Sequence, residues 1–194
     1  MSILKSSKVV AIGASTGGIE ALEQVFSRLP NKIPPILLVV HLPIGFTKLY
    51  ATRLSTSYSF IVKEAASGDE VVEGQILIAP AGKHMIVKKE LSRLVVHCYS
   101  GEKVQYVIPS ADVLFESVAK EVGDKSVGVV LTGMGADGAR GLKKMRDIGA
   151  TTIAQNKETC VVYGMPKVAK ELGAVEFVLP IFQVAEKIIS HSRL

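Results

Sequence analysis

Short runs of almost only apolar residues recur along the chain, and several of them lead into a glycine, serine or histidine. VVAIGA precedes Ser15, ILLVVH ends at His41, and SVGVVL leads into a glycine-rich loop. Strands that are buried on both faces have this composition, which is typical of parallel sheets covered by helices. Segments with apolar residues at helical spacing separate the runs, as in GGIEALEQVFSRL at 17–29. The pattern therefore predicts a parallel sheet inside an α/β domain.

The predicted elements follow the order β-α-β-α over the first third of the chain, and the first strand begins by about residue 8. The middle of the chain differs and holds four short strand-like runs divided by turn-like segments: FIVKEA, QILIAPA, KHMIVKK and RLVVHCYS. We interpret these runs as hairpin or meander structure added to the parallel sheet. Ser110 is expected to cap the next helix, and strands and helices then alternate up to a final helix near 181–191. The predicted fold is α/β and doubly wound, with a mainly parallel sheet, flanking helices and a short antiparallel β insertion.

Chain length and apolar runs limit the classes of protein that need to be considered. The 194 residues suffice for one domain with a full core, and no linker-like segment divides them, so we expect a single domain over 1–194. The longest apolar runs fall far short of the roughly 20 residues that span a bilayer, and no signal peptide precedes the first strand. We therefore expect a cytoplasmic protein that does not insert into a membrane.

Charge and cysteine content exclude two further classes. The net charge of +5 favours acidic partners, but the basic residues are scattered and aromatic residues make up only 6% of the chain. Nucleic-acid binding is therefore not expected. Cys98 and Cys160 are the only cysteines, and neither lies in a redox or metal-binding motif. We expect two reduced thiols, with no disulfide framework and no zinc site.

The end of the first predicted strand carries a candidate nucleophile. Residues 13–17, GASTG, match the G-x-S-x-G nucleophile elbow in the strand–turn–helix setting that the motif requires. The alternative is a phosphate-binding turn at a helix N-terminus. However, the G-x-G-x-x-G spacing is missing, His41 rather than an acid closes the second strand, and no G-K-[ST] follows. The nucleophile interpretation, with Ser15 as the attacking hydroxyl, is therefore favoured.

His41 and Asp137 follow other buried strands and could complete a hydrolytic site with Ser15. An imidazole beside the serine can take its proton, and an aspartate can hold the imidazole in one tautomer. Each also has a structural alternative, namely a buried histidine bonded to the backbone and a helix-capping aspartate. Three other histidines are weaker candidates because none ends a parallel strand: His84, His97 and His191. The chain order serine, histidine, aspartate differs from that of α/β-hydrolases, which disfavours an ordinary lipase.

The loop that carries Asp137 is rich in glycine, which suggests a backbone in unusual conformations close to another part of the molecule. Its four glycines are Gly133, Gly135, Gly138 and Gly141.

Six segments together make the chain similar to a known family. They are GASTGG, HLPIGFT at 41–47, IAPAGKHM at 78–85, PSADVLF at 109–115, LTGMGADGARG at 131–141 and VVYGMPKVA at 161–169. With them the chain resembles the catalytic domain of the CheB family, which are chemotaxis-receptor protein-glutamate methylesterases and protein-glutamine glutaminases. The resemblance covers nearly the whole chain, and the motifs occur in order. Family members often carry proline where this chain has Ile19 and Ile44.

The resemblance implies a serine-hydrolase mechanism that acts on the methylated cytoplasmic domains of chemoreceptors. Ser15 would attack the γ-carbonyl of a glutamate methyl ester, His41 would act as general base and then acid, and Asp137 would orient it. The backbone N–H of Met134 would hold the oxyanion, with Thr16 as a supporting residue. The same site would deamidate selected receptor glutamines, and no metal or organic cofactor is implied.

Two points stay open at the level of sequence. A related hydrolase of the same fold could act on an ester that is not part of a receptor. A non-catalytic binding module is disfavoured because Ser15, His41 and Asp137 are all present. The regulated family form also has a receiver domain before this region, which the 194 residues cannot include, so we expect either an isolated catalytic domain or a stand-alone enzyme.

Overall fold

The computed structural model describes residues 8–192 of the chain. Its strands are β1 (Val9–Ala14), β2 (Ile36–Val40), β3 (Ile61–Glu64), β4 (Gln75–Ile78), β5 (His84–Glu90), β6 (Arg93–Tyr99), β7 (Ser126–Val130), β8 (Thr151–Gln155) and β9 (Phe177–Leu179). Its helices are α1 (Gly18–Phe26), α2 (Phe46–Ser57), α3 (Ala111–Glu121), α4 (Ala139–Asp147), α5 (Met165–Glu171) and α6 (Ile181–Ser192), with a short 3₁₀ turn at Lys157–Thr159.

Seven strands form one parallel sheet in the order β3-β4-β2-β1-β7-β8-β9. The chain leaves β1 toward β2 on one side and later returns to place β7 on the other side of β1. The carboxyl end of β1 is therefore the point where the strand order reverses, which is where open α/β sheets bind their ligands. The doubly wound fold and the short antiparallel insertion predicted from sequence are both confirmed.

Alternate residues of the central strands pack into two separate cores. Helices α1, α2 and α6 cover one face of the sheet, where Ile12 and Leu38 are buried with Phe26. Helices α3, α4 and α5 cover the other face together with the β5–β6 hairpin, and Val39 and Phe115 are buried there. Burial on both faces explains why the central strands are apolar throughout rather than alternating.

The sequence interpretation of the middle of the chain is wrong for two of its four strands. FIVKEA and QILIAPA form β3 and β4, which are parallel strands at one edge of the main sheet, and only β5 and β6 pair as an antiparallel hairpin. Residues 65–74 cross from β3 to β4 without a helix, so their turn-like sequence resembles a hairpin connection. The hairpin supports this crossover, because Val71 N donates to Leu94 O at 2.8 Å and Gly68 N donates to Val96 O at 2.9 Å.

Helices α3 and α4 are in tight contact at Gly141. A Cβ at this position would lie 2.7 Å from Asp112 O and 2.7 Å from Phe115 Cβ. Neither atom can rotate away, because one belongs to the backbone and the other is bonded directly to it. The glycine therefore permits the helix contact that joins the loop after β7 to the start of α3. Within residues 8–192, no helix is both long and apolar enough to cross a membrane.

Gly141→Ala is expected to lower the free energy of unfolding by about 1–3 kcal/mol, because the added methyl group overpacks the α3–α4 contact. The sign is opposite to that of helix propensity, which favours alanine over glycine by about 1 kcal/mol. Urea unfolding measures the change, and Arg140→Ala at the exposed neighbouring position should stay within about 0.5 kcal/mol of wild type. A Gly141→Ala protein as stable as wild type would contradict the tight contact.

Candidate active site

Three loops meet at the carboxyl end of β1. The register pairs Ala14 with Val40, so that Ser15 and His41 are the next residues on two adjacent parallel strands. His41 N donates to Ala14 O at 3.2 Å, and Ser15 N donates to Thr132 O at 3.0 Å in the loop after β7. The expected proximity of Ser15 and His41 therefore follows directly from strand pairing.

The His41 ring is hydrogen-bonded to Asp137. Its Nε2 lies 3.0 Å from Asp137 Oδ2, and the side chains are 14% and 3% exposed, respectively. An ionised carboxylate only accepts hydrogen bonds, so Nε2 carries a proton, and in the neutral form of the ring Nδ1 has the free lone pair. In the described part of the chain the ring forms no hydrogen bond with the Ser15 hydroxyl, a contact that often tightens only when substrate binds.

Asp137 accepts hydrogen bonds from the first residues of α3 as well as from His41. Ser110 Oγ donates to Oδ1 at 2.6 Å, Ala111 N to Oδ2 at 2.7 Å, and Asp112 N to Oδ1 at 3.1 Å. Burial alone raises the pKa of Asp137, but the bonds from His41, from the Ser110 hydroxyl and from the two N–H groups outweigh it. The pKa of Asp137 therefore lies below its ordinary value, and the carboxylate is ionised at neutral pH.

The sequence left a purely structural role open for both His41 and Asp137, and the structure answers differently for each. His41 is not a buried histidine satisfied by the backbone, since its ring partner is the Asp137 carboxylate. The capping interpretation of Asp137 is partly correct, because this side chain accepts from backbone N–H groups at a helix start. The helix is α3, however, which lies earlier in the chain than Asp137.

The glycine-rich loop after β7 lies directly against the nucleophile turn, as its composition suggests. A Cβ at Gly133 would lie 2.8 Å from Ser15 Cβ and would overlap Met165 Sδ. Gly138 is the N-cap residue directly before α4 and has φ 86°, a left-handed backbone conformation that residues with a side chain disfavour. Close approach thus explains Gly133, and left-handed geometry explains Gly138.

Thr132 joins the nucleophile turn to two neighbouring segments. Its hydroxyl can donate to Thr16 O at 3.0 Å or to Val162 O at 3.2 Å, and it accepts from Val162 N at 3.0 Å. Its backbone N–H donates to Gln155 Oε1 at 2.8 Å, at the end of β8. The side chain is fully buried, so these bonds hold the turn at Ser15 in one position.

Two backbone donors beside Ser15 are available to a ligand. Within residues 8–192, neither Thr16 N–H nor Met134 N–H forms a hydrogen bond. Met134 directly follows Gly133, which contacts Ser15, and its side chain is 76% exposed. Free N–H groups next to a nucleophile are what an oxyanion hole requires.

Sequence reasoning missed the supporting residues of the site. Ser110 was expected only as a helix cap, and it does accept from Val113 N at 3.4 Å, but it also donates to Asp137. His84 is a weaker candidate from sequence because it does not end a parallel strand, yet its Nδ1 accepts from Ser110 N at 3.2 Å. The capping signal of Ser110 was readable, whereas nothing local indicates which carboxylate binds at that helix start.

A second carboxyl group in this region has the opposite electrostatic environment. Asp112 is 3% exposed, its Oδ1 accepts from Gly141 N at 2.7 Å, and its Oδ2 has no hydrogen-bond partner among residues 8–192. Burial, opposed by that one hydrogen bond and reinforced by the neighbouring Asp137 charge, raises the pKa of Asp112 to about 6.

Other potentially reactive groups do not form a second centre in the described part of the chain. Cys98 and Cys160 form no disulfide, and burial raises the pKa of each thiol to about 11. No cluster of three or more histidine, cysteine or acidic side chains within residues 8–192 is arranged to hold a metal ion.

A doubly wound α/β domain that brings serine, histidine and aspartate to adjoining strand ends has the components of a serine hydrolase. The family model described as CheB methylesterase matches residues 10–188. The chain therefore belongs to the CheB methylesterase family.

Named relatives agree along most of the chain. A protein-glutamate methylesterase/protein-glutamine glutaminase of Syntrophus aciditrophicus (strain SB) is 50% identical over 184 residues, which are 95% of this chain and 54% of that protein. A protein of the same description from Anaeromyxobacter dehalogenans (strain 2CP-C) is 48% identical over 182 residues, or 94% of this chain and 51% of its own length. The chain thus spans about half the length of the curated relatives it matches.

A solved structure has the same fold. The crystal structure of the Thermotoga maritima CheB methylesterase catalytic domain matches with a TM-score of 0.92 and 41% identity, over 95% of this chain and 98% of that one.

The stability of the protein should depend on pH through Asp112. The folded state holds the Asp112 proton more tightly than the unfolded chain, where the carboxyl has its ordinary pKa of 3.8. Stability is therefore lost as the pH rises through the window between that value and about 6, by roughly 3 kcal/mol in all. Asp112→Asn removes this loss, so its stability relative to wild type should increase over the same window.

Urea unfolding of both proteins from pH 4 to pH 8 measures the difference. Asp147→Asn, at an exposed carboxyl group of α4, serves as the control and should show no such rise. A difference between Asp112→Asn and wild type that stays constant with pH would contradict the environment described for Asp112.

Proposed function

We propose that the chain is a serine hydrolase that removes methyl esters from glutamate side chains of chemotaxis receptors and releases methanol. The same site also deamidates selected receptor glutamines. The observation that carries the proposal is the 3.0 Å hydrogen bond between His41 Nε2 and Asp137, formed where His41 adjoins Ser15 on paired strands. The relatives' names supply the substrate class, because they describe protein-glutamate methylesterases and protein-glutamine glutaminases.

In the proposed mechanism, Ser15 attacks the ester carbonyl and His41 Nδ1 takes the hydroxyl proton. Asp137 stabilises the imidazolium through Nε2–H, and it stays ionised because the start of α3 neutralises part of its charge. The N–H groups of Met134 and Thr16 stabilise the oxyanion of the tetrahedral intermediate. His41 then returns the proton to the departing methoxide, and methanol leaves.

The acyl-enzyme is resolved by the reverse sequence of proton transfers. Water gives its proton to His41 Nδ1 and attacks the Ser15 ester, and the free glutamate side chain leaves as Ser15 recovers its proton. With a glutamine side chain, ammonia takes the place of methanol. No step calls for a metal or an organic cofactor.

The substrates of this reaction are the methylated cytoplasmic domains of chemoreceptors, so we place the enzyme in the cytoplasm. We also propose that the sheet and its two cores act as one catalytic domain, since the three proposed catalytic side chains come from loops of the same sheet. The positive net charge suits acidic receptor surfaces.

Ser15→Ala should abolish methanol release from methyl-esterified chemoreceptor membranes, because the variant lacks the hydroxyl that attacks the ester carbonyl. The measurement compares wild type and variant, with the urea unfolding midpoint of each as the control for folding. Normal release by Ser15→Ala would rule out the proposed nucleophile. Hydrolysis of a small methyl ester with no release from receptors would instead favour a carboxylesterase of this fold with another substrate.

Asp137→Asn should lower kcat by about three to four powers of ten with a smaller effect on KM, because an amide can present its N–H to Nε2 and hold the wrong tautomer of His41. Steady-state methanol release measures both constants. Asp147→Asn is the matched control, with the same chemical change at an exposed position, and should retain wild-type kinetics. A wild-type kcat in Asp137→Asn would mean that another group orients His41.

A further inference from the structure

His84 is a buried histidine outside the proposed catalytic group, with 2% of its surface exposed. It is the first residue of β5, and its ring packs against Tyr99 with 5.6 Å between ring centroids. Its Nε2 donates to Glu102 O at 2.8 Å, and its Nδ1 accepts from Ser110 N at 3.2 Å. Each ring nitrogen therefore has a hydrogen-bond partner, and the imidazole is held in the neutral tautomer that carries its proton on Nε2.

The partner of Nδ1 belongs to the turn that binds Asp137. Ser110 supplies its hydroxyl to Asp137 Oδ1, and the next two residues supply backbone N–H groups. Three of the four hydrogen bonds to the carboxylate thus come from this turn, and the fourth comes from His41. The orientation of Ser110 N–H toward His84 fixes the backbone from which those three donors project.

We propose that His84 is a positioning residue for Asp137, which it orients through the backbone of Ser110 at the start of α3. The antiparallel hairpin thereby has a role in the reaction, although none of its residues contacts Ser15 or the His41 ring through a hydrogen bond in the described part of the chain. This inference rests on the proposed role of Asp137 in the hydrolase reaction.

The hairpin is joined to α3 at other points that do not reach the site. Val87 N donates to Ser117 Oγ at 3.0 Å, and Lys89 N donates to Glu121 Oε2 at 3.2 Å, so β5 follows α3 from its start to its end. Ser117 therefore offers a matched control. Ser117→Ala loosens the same hairpin from the same helix but leaves the turn at Ser110 untouched.

Two conservative substitutions separate the two bonds of His84. In His84→Asn the amide oxygen can occupy the place of Nδ1 and accept from Ser110 N–H, while the bond to Glu102 is lost. In His84→Gln the longer amide reaches the place of Nε2 and can donate to Glu102 O, while the bond to Ser110 is lost. Both variants replace the ring with an amide, so general effects on packing are similar.

We expect His84→Gln to lower kcat for methanol release from methylated receptor membranes by about tenfold to a hundredfold with KM little changed, since small displacements of catalytic groups have effects of this size. His84→Asn and Ser117→Ala should stay within about threefold of wild type, a change smaller than the lower limit of that range. Equal losses in the two His84 variants, a larger loss in His84→Asn, a wild-type kcat in His84→Gln, or an equal loss in Ser117→Ala would each overturn the proposal.

A second readout does not depend on catalysis. The Nε2 proton of His41, bonded to a carboxylate, should give a low-field proton resonance in wild type that disappears in Asp137→Asn. The resonance should shift or broaden in His84→Gln and persist in His84→Asn and Ser117→Ala. If wild type releases no methanol, the proposed function fails, yet this comparison still decides whether His84 positions Asp137. An unchanged resonance in His84→Gln would contradict a positioning role for His84.

Discussion

The site depends on the burial of one ionised carboxylate, that of Asp137. An unpaired charge in the protein interior is strongly unfavourable, so the surrounding residues must supply hydrogen-bond donors in fixed positions. They do so from the amino end of α3, where backbone N–H groups and the helix dipole favour an anion. The remaining donor is His41. The hydrogen bond from His41 that helps keep Asp137 ionised is thus also the bond that holds the imidazole ring in place.

Asp112, two residues into the same helix start, shows that position in the helix alone does not produce this effect. Its carboxyl accepts one hydrogen bond, from Gly141 N, where Asp137 accepts four. The pKa of Asp112 is raised and that of Asp137 is lowered, although both groups are nearly fully buried. The number of donors that face each carboxylate decides its ionisation, and the charge of Asp137 makes ionisation of its neighbour less favourable still.

Much of the fold could be predicted because its determinants are local. All-apolar runs specify strands buried on both faces, and polar residues at their ends mark the sheet edge where Ser15, His41 and Asp137 meet. The β3–β4 pairing could not be predicted in this way, since its crossover has no helix and is supported by backbone bonds to β6, which follows later in the chain. The same limit applies to His84: its role depends on Ser110, 26 residues later in the chain, and no spacing within its own strand reveals it.

Strand order also bears on which nitrogen of His41 serves each of its two proposed partners, Ser15 and Asp137. Neighbouring strands lie about 4.8 Å apart, so the residue after β2 is close to the residue after β1 but about twice that distance from the end of β7. Nδ1 is the ring nitrogen nearer the backbone and suits the short distance to Ser15. Nε2 lies farther out and reaches past the end of β1 to Asp137. With serine after β1, histidine after β2 and aspartate after β7, the spatial order β2-β1-β7 therefore favours the proposed roles, in which Nδ1 is the base and Nε2 carries the fixed proton.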